Sequence, residues 1–123
     1  MLAYATIGTN DLPRAAGFYD EVLGVLGAKR FMENEQFIAW GSSPDGAGLG
    51  VTRPFDGHAA TAGNGAMVAL GADSRDVVDR VHAKALALGG SDEGAPGQRM
   101  DGFYAAYFRD LDGNKLCACY MGA

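Results

Sequence analysis

The stretch Phe103-Tyr-Ala-Ala-Tyr-Phe-Arg-Asp-Leu-Asp-Gly-Asn-Lys-Leu-Cys-Ala-Cys-Tyr120 decides the fold. Two apolar arms flank Asp110-Leu111-Asp112-Gly113-Asn114. Gly and Asn tolerate positive φ at little steric cost, so this centre is a turn. Aromatic residues fill both arms, as strands prefer. The stretch therefore predicts a β-hairpin.

Upstream, Leu2 to Gly8 reads as a strand, with Tyr4, Thr6 and Gly8 on one face and Ala3, Ala5 and Ile7 on the other. Asp11 is a good N-cap, and Pro13 is tolerated in a first helical turn. Ala15, Phe18, Tyr19, Val22 and Leu23 follow at helical spacing, with Gly24 and Gly27 as the stop. Three strands are then expected, over 25–32, 36–41 and 49–53, the second carrying Trp40. Residues 54–65 form a long Gly- and Ala-rich connection.

The same order recurs. Ala66 to Leu70 reads as a strand, Asp73 and Ser74 offer N-caps, and Val77, Val78, Val81, Ala85 and Leu88 mark a helix closed by Gly89-Gly90. Residues 90–99 are polar and read as irregular, a weak strand at most. The closing hairpin supplies the last two strands. Module one (about 1–53), a linker (about 54–65) and module two (about 66–121) thus form one domain over 1–123, each module reading β-α-β-β-β.

Composition narrows the function. A net charge of −5 without a basic run argues against nucleic-acid binding, which needs clustered Lys and Arg. No apolar stretch approaches the roughly 20 residues that span a bilayer, so no membrane association is expected. No signal-peptide pattern opens the chain. The only cysteines, Cys117 and Cys119, are two apart on one strand, which disfavours a disulfide between them. A reducing, cytoplasmic setting is the expectation.

Taken together, these pieces resemble the vicinal oxygen chelate superfamily, the group of glyoxalase I, the bleomycin-resistance proteins and the extradiol dioxygenases. Asp11-Leu12, Phe18-Tyr19 and Leu23-Gly24 resemble its first helix. Gly63-Asn64-Gly65, Val78-Asp79, His82, Ala85 and Gly89-Gly90 resemble its second repeat. Tyr107-Phe108-Arg109-Asp110-Leu111-Asp112-Gly113-Asn114 resembles its closing hairpin, with Leu111 where Pro is usual.

The resemblance implies an α+β fold, two β-α-β-β-β modules forming a curved mixed sheet around an open cup, and a homodimer. It also implies three metal-ligand positions, usually His, His and Glu. Here they hold Tyr4, Met67 and Cys117. Phenol, thioether and thiol do not reproduce the ligand set of an oxygen-chelating divalent cation. No cofactor is therefore expected, and a divalent metal is disfavoured.

The expected activity is binding of a small planar or amphipathic molecule in the cup without the family's usual metal. Tyr4, Trp40, Arg53, Met67, Phe103, Tyr107 and Cys117 are the candidate ligand-binding residues. Tyr4 could donate a hydrogen bond or act as acid or base, and Arg53 could clamp an anion. Two alternatives stay open: a lyase, isomerase or dioxygenase with an atypical site, and a non-catalytic interaction module. For an enzyme, His58 is a general-base candidate if its loop folds over the cup, whereas His82 reads as a helix-surface residue.

Overall fold

Each helix begins at a side-chain cap. In the computed structural model, which describes residues 1–122, Asp11 accepts a hydrogen bond from the Arg14 amide at 3.1 Å and starts α1 (Leu12–Gly24). Ser74 does the same for α2 (Arg75–Ala87), accepting from the Val77 amide at 3.2 Å. The second cap is thus Ser74, and Asp73 stands one residue before it.

The helices bury stripes at the expected spacing. Leu12, Ala15, Ala16, Phe18, Tyr19, Val22 and Leu23 are buried on α1, and Val78, Val81, His82 and Ala85 on α2. Gly27, at φ 78°, turns the chain out of α1, and the Leu26 and Ala28 amides both donate to the Leu23 carbonyl. Residues 25–28 are spent on that exit, so the next strand begins at Lys29, later than the apolar run suggested.

Eight strands complete the chain: β1 (Tyr4–Gly8), β2 (Lys29–Glu33), β3 (Phe37–Gly41), β4 (Gly48–Thr52), β5 (Val68–Gly71), β6 (Ser91–Met100), β7 (Phe103–Arg109) and β8 (Lys115–Met121). They form two four-stranded sheets, ordered β1-β4-β3-β2 and β5-β8-β7-β6. In each, the first strand pairs parallel with the last of its module and the other pairs are antiparallel. The fold is α+β, and the β-α-β-β-β repeat holds.

One expectation fails. Residues 91–100 form the longest strand, where an irregular segment was expected. β6 is an edge strand, and its pairing with β7 shifts register between Asp92 and Gly94, Gly94 and Gly97, and Gln98 and Met100. Edges and bulges admit glycine and proline that a central strand would reject, so Gly94, Pro96 and Gly97 do not break it.

The closing hairpin is a polar lock between the modules. The Asp110 amide donates to the Asn114 carbonyl at 2.9 Å, and Gly113 supplies the positive φ, 88°. Asn114 keeps an ordinary φ. Its side-chain amide instead donates to the Gly8 carbonyl at 2.8 Å and to Asp110 at 3.0 Å. The Thr9 hydroxyl donates to Asp112 at 2.6 Å.

A single core joins the halves. Ile38, Trp40, Leu49 and Val51 of the first sheet share it with Ala106, Phe108, Leu116 and Ala118 of the second, and α1 packs against α2 between them. Fully burying side chains such as Val22, Val51 or Val81 stabilises by about 1.5–3 kcal/mol each. Both sheets turn their helix-covered faces to this core, which leaves their other faces outside it.

Candidate functional site

Strand alternation separates the two outward faces from the core. In the first sheet, Tyr4 pairs with Gly48, Thr6 with Gly50, Ala39 with Gly50 and Phe37 with Thr52, so these residues share the outward face. Tyr4 and Phe37 meet edge to face at 6.5 Å. Glycine is required beneath them: a Cβ on Gly50 would collide with the Phe37 ring, and one on Gly48 would lie 3.1 Å from Phe31. Tyr4 and Phe31 remain 60% and 63% exposed. Together with Lys29 and Pro44 they border a cleft of about 530 Å³.

In the second sheet, Tyr107 pairs with Cys117, Cys117 with Ala69, Ala105 with Cys119 and Phe103 with Met121. Ala105, Cys117 and Cys119 form a small buried cluster flanked by Phe103 and Tyr107, separate from the main core. Two cations converge on the Tyr107 ring: the Arg99 guanidinium carbon lies 5.4 Å from its centroid and Lys115 Nζ 5.5 Å. Met67, Arg109 and Lys115 line a neighbouring cleft of about 590 Å³ with the loop over 62–66.

The structure therefore groups Met67, Phe103, Tyr107 and Cys117 on one face and sets Tyr4 on the other sheet's outward face. Two candidates leave the set. Trp40 is on the helix side of β3, 1% exposed, and donates its indole N–H to Asp20 at 2.9 Å. The Arg30 guanidinium beside Asp20 holds that carboxyl below the usual carboxylate range. Arg53 follows β4 at a helix-side position, and its Nε donates to the Glu35 carbonyl at 2.9 Å. It borders a cleft with Leu12, Pro13 and Ala16, away from Tyr4.

Both histidines differ in setting from one another. His58 is exposed in its loop beside Asp56, at 3.4 Å, and does not fold over either face. His82 is buried, contrary to the helix-surface reading, with Nε2 3.0 Å from Asp92. The Gly94 amide, and then His82, hold Asp92 below the usual carboxylate range.

The residues at the implied ligand positions do not suit the family's metal. Tyr4 is on β1 of one sheet, Cys117 is on β8 of the other, and Met67 directly precedes β5. Burial pushes the Cys117 thiol up to about 11, with Cys119 adding to the shift, so it stays a protonated thiol at neutral pH. A thiol binds metal as the thiolate. Among the described residues, no three His, Cys, Asp or Glu side chains come together as a metal site. Both cysteines are free.

Phe31, Phe37, Arg99 and Lys115 lie beside these candidates and were not among the expected residues. Lys115 had a visible signal, since it is two residues from Cys117 on one strand. Arg99 and Phe31 had none, because bulges in β6 and β2 set their directions.

Comparison with known proteins agrees with this architecture. The chain is 40% identical to a glyoxalase/bleomycin resistance protein from Albidiferax ferrireducens T118, with 98% of each chain covered and a TM-score of 0.90. A glyoxalase/bleomycin resistance protein/dioxygenase family enzyme from Burkholderia phytofirmans PsJN superposes with a TM-score of 0.77 at 19% identity, over 97% of each chain. A lactoylglutathione lyase from Agrobacterium tumefaciens gives 0.72 at 20% identity, over 98% of this chain and 92% of that one. These last two likenesses concern the fold. No curated protein sequence matches the chain. No helix among the described residues is long and apolar enough to cross a membrane. The model of the Glyoxalase/Bleomycin resistance protein/Dioxygenase superfamily matches residues 1–118, and the chain belongs to that superfamily.

Proposed function

We propose that the protein binds a small planar or amphipathic molecule, without the divalent metal of its metal-dependent relatives, in a cup assembled from two copies of the chain. The observation that carries this reading is the split of the candidate residues between the outer faces of two separate sheets. Tyr4, Phe31 and Phe37 form an aromatic wall on one. Phe103, Tyr107, Cys117 and Met67 form a wall on the other. Neither wall has a lid within its own chain.

A second copy related by a two-fold axis would set the first module of one chain opposite the second module of its partner, giving two equivalent cups. Exposed Leu2, Tyr4, Phe31, Met32, Met67, Met100 and Met121 supply apolar surface for such an interface. Inside the cup, aromatic rings would cover the faces of a planar ligand, and the Tyr4 and Tyr107 hydroxyls would offer polar handles. Catalysis by a bound metal has no suitable donor set here, so binding is the activity these side chains support best.

The test is a thermal-shift screen of planar aromatic and amphipathic compounds in buffer containing EDTA. A compound at one hundred times its Kd stabilises by about 2.7 kcal/mol, a visible shift. The expected result is at least one such compound and a dimer by sedimentation. A monomer that responds to no compound would contradict the proposal.

A further inference from the structure

We infer that the outward face of β6, β7 and β8 is an anion subsite, in which Arg99 and Lys115, gathered over Tyr107, take a carboxylate or phosphate group carried by the planar ligand. The inference rests on the cup-binding reading above and adds the ligand's charge.

Both cations approach the Tyr107 ring without an acid as ion-pair partner. Both lie within 5.5 Å of the Tyr107 centroid, so they are no more than about 11 Å apart. Among the described residues, neither forms an ion pair, although the chain carries fifteen Asp and Glu against ten Lys and Arg. Arg14, Arg30, Arg80, Lys84 and Arg109 each find a carboxylate within 4 Å, whereas Lys29, Arg53 and Arg75, like Arg99 and Lys115, form no ion pair among the described residues. Two like charges around one ring repel each other. The π-face of Tyr107 offsets part of that cost.

The backbone is shaped to receive Arg99. Its guanidinium nitrogens lie 3.3 Å from a Cβ built on Gly94 and 2.9 Å from one on Gly97. Any side chain at Gly97 would press on the guanidinium. The Ala95 carbonyl accepts one Arg99 N–H at 2.6 Å, which orients the group and leaves other N–H donors free. The Lys115 side chain makes no hydrogen bond among the described residues, and its strand position two residues from Cys117 keeps it on the same face. A guanidinium and an ammonium over one ring suit an anionic oxygen group on an aromatic or otherwise flat body. The ring system would stack in the cup, and its anionic group would reach the Arg99 guanidinium or the Lys115 ammonium beside Tyr107.

Calorimetric titration of the purified protein with 2-naphthoate, 2-naphthyl phosphate and neutral 2-naphthamide tests this. At least one of the two anions should bind about tenfold or more tightly than the amide, and the stronger one names the group. That preference should weaken with added salt. The double variant Arg99→Gln, Lys115→Met should lose it while still binding the amide. Arg80→Gln, which removes a positive charge from an exposed turn of α2, should keep it. Far-UV circular dichroism checks that each variant folds.

Equal binding of anions and amide, or a double variant that keeps the preference, overturns the subsite and leaves the cup intact. A double variant that weakens the dimer without changing ligand preference also overturns it, because the cations then serve a second copy's carboxylates. Binding of none of the three at millimolar concentration overturns both the subsite and the cup reading.

Discussion

The Tyr19 hydroxyl donates a 2.6 Å hydrogen bond to Asp110, 91 residues further along the chain, and so ties the first helix to the closing hairpin. Both groups are buried, and Asp110 also accepts from the Asp112 and Asn114 amides. Removing one partner leaves a buried carboxylate short of a donor, which costs about 1–3 kcal/mol. Tyr19→Phe should therefore lower unfolding free energy by about that amount in urea, with an unchanged denaturant slope. A loss below about 0.5 kcal/mol would mean that the remaining donors carry the lock.

Alkaline pH should weaken the fold through two groups. Burial raises Tyr19 well above its ordinary 10.0, with Asp110 adding to the shift, and burial raises Cys117 from 9.0 to about 11. For such groups the unfolded chain loses its proton first, so the native state holds more protons and stability falls as pH rises. The contribution of Cys117 is complete below about pH 9 and is lost between there and about 11. The thermal midpoint should be level from pH 7 to about 9 and then decline. Cys117→Ala should flatten the early part of that decline. The same protonated state predicts slow alkylation of the native protein by iodoacetamide at pH 7.5 and fast alkylation in urea.

Much of this architecture was legible in the residues. Caps at Asp11 and Ser74, apolar spacing on both helices and the Asp-Gly turn each state a local preference that tertiary contacts did not overrule. β6 was not legible, because an edge strand with bulges needs no alternating pattern. Trp40 was misplaced for a different reason. Alternation puts residues 38 and 40 opposite 37 and 39, but says nothing of which face meets the helix. His82 could have been placed, since it follows Val78 by four residues on the stripe that continues to Ala85. The convergence of Arg99 and Lys115 on Tyr107 depends on register across three strands, which no single stretch encodes.

Gly50 tests the first aromatic wall. A Cβ there meets the Phe37 ring and comes within 3.2 Å of Thr6 Cγ2. Overpacking of this kind costs about 1–3 kcal/mol when neighbours must move. Gly50→Ala should reduce stability by about that amount and reduce the affinity of any planar ligand by more than Gly17→Ala, where a Cβ meets nothing within 4 Å. Calorimetry on both variants checks the difference.

A composite cup makes a prediction about mixtures. Tyr4 and Lys115 reside on different faces of one chain, so a dimer-built cup takes them from different copies. Tyr4→Ala and Lys115→Met chains should each bind ligand weakly alone. Mixed dimers made by co-refolding should regain one intact cup, at about half the wild-type stoichiometry per dimer. Mixed dimers with no gain in binding would place the cup within a single chain.

The most direct test of metal-independent binding is one calorimetric comparison. A planar aromatic ligand identified by thermal shift is titrated into protein dialysed against EDTA, and again into protein supplied with equimolar Zn²⁺, Ni²⁺ or Mn²⁺. The account predicts the same affinity in every case, because Tyr4, Met67 and Cys117 offer no suitable ligand set. Binding that appears only with metal, and vanishes on chelation, would contradict it.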